Sequence, residues 1–135
     1  MPADPQLEAA LRQWAAAARE RLMTLTEAVT LLRGAATQTA TETQDDVASE
    51  VLAASTALVD WLHMSRAPRG LRKAEGELGA SAGVYRNAAV AYGSLSDADP
   101  HQYEARLAAC LKLLEQGDHH VEIAVSLLHK KLGTS

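Results

Sequence analysis

Five histidines, seventeen carboxylates and one cysteine are the side chains of this chain that could do acid–base, nucleophilic or metal chemistry. Their spacing says which of these to expect. A ferritin-like di-iron centre needs Glu-x-x-His twice on facing helices. No glutamate here has a histidine three residues later, and Asp60–His63 is the single acidic-x-x-His pair. Counted at the helical rise from one bundle end, His63 and His129 come to similar heights. Asp60, His63 and His129 are therefore the weak candidates for a metal, against the plainer reading of half-exposed surface histidines.

His119 and His120 are adjacent, and adjacent residues on a helix diverge. His119 most simply pairs with Glu115, one turn back. Two Glu-x-x-Asp pairs, Glu42/Asp45 and Glu115/Asp118, have the magnesium spacing of all-helical nucleotide pyrophosphohydrolases. One pair lies at a helix start and the other in mid-helix, which separates them by roughly 20 Å, so that reading is rejected. Cys110 falls on an apolar stripe, where a cysteine acts as a small hydrophobe. No phosphate loop, dinucleotide fingerprint, serine elbow or HExxH occurs. No catalytic residue is assigned and no cofactor is expected.

The elements that must position these groups are helices. Alanine and leucine fill about a third of the 135 residues and aromatics only 4%, a mix that favours helix over sheet. The stripe Leu7, Leu11, Trp14, Ala18, Leu22, Leu25, Val29 and Leu32 steps by three and four. It opens at Asp4-Pro5 and closes at Gly34. Thr39–Glu42 and Thr41–Gln44 fit capping boxes for a second helix. That helix carries Val47, Val51, Leu58 and Leu62, with Trp61 on the edge, and stops before Pro68. Leu71, Ala74, Leu78, Ala82, Tyr85, Ala89 and Tyr92 mark a third helix. Asp99-Pro100 with Gln102 caps a fourth, striped by Tyr103, Leu107, Cys110, Leu114, Val121, Val125, Leu128 and Leu132. The expectation is all-α, one domain over 1–135: an antiparallel up-down-up-down four-helix bundle with helices roughly at 5–33, 41–66, 71–92 and 100–132.

Net charge is −4, which disfavours nucleic acid as a partner. No segment approaches a membrane span, and the acidic, prolyl N-terminus lacks a signal peptide's basic and apolar regions. A cytoplasmic location and a GC-rich bacterial genome are expected, with a lone thiol suiting a reducing compartment. The Trp-x-Gly turn of the small secreted ESX helical hairpins is absent, and hemerythrin-like and ferritin-like ligand sets are absent too.

Two surfaces stand out. Acids at helix starts and bases at helix ends suit the macrodipole. Arg69, Arg72 and Lys73 lie at or after a helix start, so they read as a patch for an anionic partner. Helix 4 has a second apolar line, Ala109, Leu113, Ala124 and Leu127, and helix 3 turns Gly76, Gly79, Gly83 and Val90 away from its own stripe. A second apolar face points to another chain. The expected function is non-enzymatic protein–protein association, as a homodimer through these eight residues or with another protein. A metal- or small-ligand-binding bundle is the alternative.

Overall fold

The structure is a computed structural model that describes residues 5–37 and 45–132. The described residues form four α-helices and no strand: α1 (Pro5–Thr37), α2 (Asp45–Met64), α3 (Arg72–Gly93) and α4 (Pro100–Leu132). A single 3-10 turn, Ser94–Asp97, joins α3 to α4. The chain is thus an all-α helical bundle. α3 packs most extensively on α4, α2 bridges α1 and α3, and the α1–α4 seam is looser. The backbones of α2 and α4 make no close approach.

Burial follows the periodic stripes closely in the first three helices. On α1 every predicted stripe residue is buried except Leu7, and Ala15, Ala28 and Ala36 join them. All seven predicted positions of the third stripe are buried. Two buried serines, Ser55 and Ser81, donate to the carbonyls of Leu52 and Leu78 in the preceding turn. Their hydroxyls are therefore satisfied inside an apolar core.

The helix ends differ from expectation where tertiary contacts outweigh local signals. α1 does not stop at Gly34. Ala36 is buried against the core, and Thr37 donates its hydroxyl to the carbonyls of Arg33 and Gly34, groups that a helix end leaves unsatisfied. α2 stops at Met64, two residues before the expected Arg66. Pro68 biases Ala67 away from the helical region, and the Ala67 amide donates to Glu75 instead of to a helix carbonyl. The proposed capping boxes of the second helix lie outside the described residues. At α4 the box is present: Asp99 Oδ1 accepts from the Gln102 amide at 2.8 Å, and Gln102 Oε1 accepts from the Asp99 amide at 3.4 Å.

α4 departs most from its predicted stripe. Tyr103 and Val125 are exposed at 39% and 37%, whereas Gly117 and Ala124 are buried. The fully covered line is Cys110, Leu114, Gly117, Ala124 and Leu128. Gly117 is the cause: a Cβ there would lie 2.4 Å from Cε1 of Tyr85. Absence of a side chain lets the Tyr85 ring rest on the α4 backbone, and the helix faces α3 along that line.

Candidate functional site

Polar side chains tie one helix or turn to another around Asp118, His120 and Glu75, and each of these contacts serves the packing. Asp118 accepts the Tyr85 hydroxyl on Oδ1 and the Arg33 guanidinium on Oδ2, both at 2.6 Å. This one carboxylate therefore ties α4 to α3 and to α1. The Tyr85 ring is 1% exposed. Burial first, and the Asp118 carboxylate second, raise its pKa far above the ordinary tyrosine value. It is held as a neutral donor. The second place is His120, whose Nδ1 lies 2.6 Å from Oε2 of Glu77 on α3. His120, and not the neighbouring His119, makes the contact with a carboxylate. His119 stays exposed, so the expected His119–Glu115 pairing is replaced by one across helices.

Glu75 holds the third place. Its side chain is 12% exposed. Oε2 accepts the Ala67 amide at 2.6 Å, and both carboxylate oxygens face the Arg66 guanidinium. The α2–α3 turn is thereby clamped to the first turn of α3. Nearby, the Trp14 indole donates to the Ser65 carbonyl at 2.7 Å and stacks on Trp61, with Arg21 over the outer face of the Trp61 ring.

The metal candidates do not converge. Asp60 and His63 are exposed on α2 and His129 is exposed on α4, two helices whose backbones make no close approach. Among the described residues no group of three or more His, Cys, Asp or Glu side chains is placed to hold a metal. Cys110 is fully buried and burial pushes its thiol up to about 11. At neutral pH it is a thiol and not a nucleophilic thiolate.

The eight residues expected to form one association face are split among several. Ala124 is 0% exposed and belongs to the core. Leu113 and Leu127 are half-buried against that core. The reason is a wider inner face on α4 than a single stripe implies. Gly79 is half-buried, its Cβ direction 3.9 Å from Leu62 of α2. Gly76, Gly83, Val90 and Ala109 remain exposed. Gly76 lines the α2–α3 groove while Leu127 lines a cleft between α3 and α4. No continuous α3/α4 face therefore unites the eight.

Besides the α2–α3 groove, which His63 and Gly76 line, two further surface features unite residues from different helices. Between α1 and α2, adjoining depressions of about 350 and 450 Å³ share Thr24, Ala54 and Ala57. Ala28, Ala53 and Leu31 also line them, and Leu31 is 56% exposed. Glu20, Glu27 and Glu50 edge them together with Arg21, whose guanidinium lies over the Trp61 ring and donates to the Ala17 carbonyl; none of the three carboxylates is in an ion pair among the described residues. At the end of the bundle, Lys73 of α3 and Lys130 and Lys131 of α4 line a cleft of about 420 Å³ with Gly70, Ala74 and Leu127. Arg69 and Arg72 are exposed beside it.

Sequence reasoning missed the α1–α2 groove because alanine registers as helix filler. The absence of any lysine or arginine in α2, residues 45–64, was the available signal. No helix among the described residues is long and apolar enough to cross a membrane. Comparison with known proteins adds no relative: no protein-family model, curated protein or solved structure matches this chain.

Proposed function

We propose that this bundle acts without catalysis, as an association module whose docking face is the groove between α1 and α2. The observation that carries this reading is Leu31, left 56% exposed in an alanine-lined groove edged by Glu20, Glu27 and Glu50. Small residues let a guest helix approach closely, and an exposed leucine beside them offers apolar area to bury. The unpaired carboxylates choose the guest's charge. It is an amphipathic protein helix with leucine-like anchors on one face and Lys or Arg at its flanks.

The same charges argue against a symmetric dimer built groove to groove, because like carboxylates would face each other. A second copy would instead have to offer a basic surface, such as α3 with Arg72, Lys73 and Arg86 exposed and Gly76 and Gly83 between them. A cytoplasmic setting fits the buried free thiol.

The test is fluorescence anisotropy with a labelled synthetic Leu/Lys helix of about four turns, alongside light scattering of the protein alone. Binding should be saturable and should weaken in added salt. Leu31→Asp should reduce affinity roughly tenfold, from the loss of about 1–1.5 kcal/mol of apolar burial. Glu27→Lys/Glu50→Lys should abolish it. Equal binding by wild type and both variants, with unchanged helicity, would refute the groove. A light-scattering mass of twice 14.4 kDa that Leu31→Asp reduces to one chain would make the guest a second copy.

A further inference from the structure

The lysine-lined cleft formed by the α2–α3 turn, α3 and α4 shares no lining residue with the α1–α2 groove. Lys73 comes from the first turn of α3, and Lys130 and Lys131 come from the last turns of α4. All three are exposed and line the same cleft. No carboxylate lines it. The two acids of the adjoining α3 turns face elsewhere: Glu75 clamps Arg66 and the Ala67 amide, and Glu77 holds His120. None of the three lysines has an ion-pair partner among the described residues.

Helix chemistry accounts for only part of this gathering. Lys130 and Lys131 sit where the α4 dipole favours cations. Arg72 and Lys73 sit at the start of α3, where it disfavours them. That helix start has Leu71 as its cap residue and no side-chain cap hydrogen bond. The local backbone therefore adds positive potential to positive side chains. Gly70 holds the turn beneath with φ of 104°, and the Lys131 stem passes over it, where a Cβ would lie 2.7 Å from Lys131 Cε. The positive φ is what calls for a glycine here; the exposed Lys131 end is flexible and could yield to a Cβ. The turn, the helix start and the α4 terminus thus bring lysines from two helices to one cleft.

We propose that this cleft binds a phosphate-bearing anion. Its volume is in the range of small-molecule sites. Lysine suits phosphate as a point charge, and an anion bound there would relieve repulsion among the three ammonium groups. The phosphate can belong to a free small molecule or to a lipid headgroup, and the test separates these.

The probe is sodium pyrophosphate, titrated into ¹⁵N-labelled protein with sodium chloride adjusted to hold ionic strength constant. The amides of Gly70, Arg72, Lys73 and Ala74 should shift and saturate. Lys130→Ala/Lys131→Ala should weaken binding about tenfold, the loss of two exposed charge-assisted contacts, with circular dichroism unchanged. Lys112→Ala, on the exposed middle of α4, should bind as wild type does. The second arm is sedimentation with phosphatidylcholine vesicles containing phosphatidic acid. Co-sedimentation displaced by pyrophosphate assigns the headgroup source, and pyrophosphate binding without co-sedimentation assigns a free ligand. Shifts that fail to saturate, or that spread equally to Lys112 and survive in the double variant, overturn the proposal, as does binding in neither arm.

Discussion

Replacing Gly117 with alanine tests the packing of α4 on α3 more sharply than any charged substitution. In an exposed helix interior, Gly→Ala stabilises by about 0.5–1 kcal/mol. At Gly117 the new Cβ would lie 2.4, 2.6 and 2.9 Å from Cε1, Cδ1 and Cζ of Tyr85. Carbon atoms sit comfortably at about 3.5–4.0 Å, so the ring must retreat by roughly an ångström. It has little room, being 1% exposed with its hydroxyl held at 2.6 Å by Asp118. Overpacking costs about 1–3 kcal/mol, and a strained or broken Tyr85–Asp118 hydrogen bond adds about 0.5–1.5 kcal/mol. Set against the helix gain, the net is a destabilisation of about 1–3 kcal/mol. For a chain of this size that lowers Tm by roughly 4–10 °C.

Gly83→Ala is the internal control, since nothing lies within 4 Å of its Cβ position. It should raise stability by about 0.5–1 kcal/mol. Urea unfolding followed by circular dichroism measures both. In a Tyr85→Leu background the cost of Gly117→Ala should shrink, giving a coupling of about 1 kcal/mol or more. Equal stabilisation by Gly117→Ala and Gly83→Ala would refute the ring-on-backbone contact.

Two further outcomes follow from the same geometry. Glu75→Ala leaves the buried Ala67 amide without an acceptor and should cost about 1–3 kcal/mol. Arg66→Ala should stay within about 1 kcal/mol because the guanidinium side chain is 64% exposed; equal losses for the two in urea unfolding would contradict the amide clamp. Cys110, raised to about 11, should not react with a disulfide reagent at pH 8 in the folded protein, and should give one thiol per chain in denaturant. Its folded pKa exceeds the unfolded value of about 8.5, so its contribution to stability is complete below about pH 8.5 and is lost as pH rises toward 11. The urea midpoint should fall over that interval, and by less in Cys110→Ala.

Each helix could be read from the chain because its evidence is local. A step of three or four between apolar residues, Asp99 with Gln102, and Pro68 after a helical run each express a preference that one segment holds by itself. The α3 stripe from Leu71 to Tyr92 is accordingly buried at every predicted position. α4 shows where such reading stops. Val125 and Ala124 are neighbours that both fit a helical stripe, and only the approach of α3 at Gly117 decides that Ala124 goes inside.

The second apolar line on α4 was drawn through the core residue Ala124 for the same reason. A helical wheel gives the angle between Leu113 and Val121 on one helix, but not the direction of the next helix. Sequence by itself thus determined the all-α class, the four segments and the unusual cations at Arg69, Arg72 and Lys73. Tertiary structure alone decided that Asp118 would meet residues 33 and 85 positions away, that Glu75 would reach back to Ala67, and that Lys130 and Lys131 would join Lys73 in one cleft. The first set depends on spacing along a chain with a fixed helical period. The second depends on the rotation and axial offset between helices, which the packing of all four sets together.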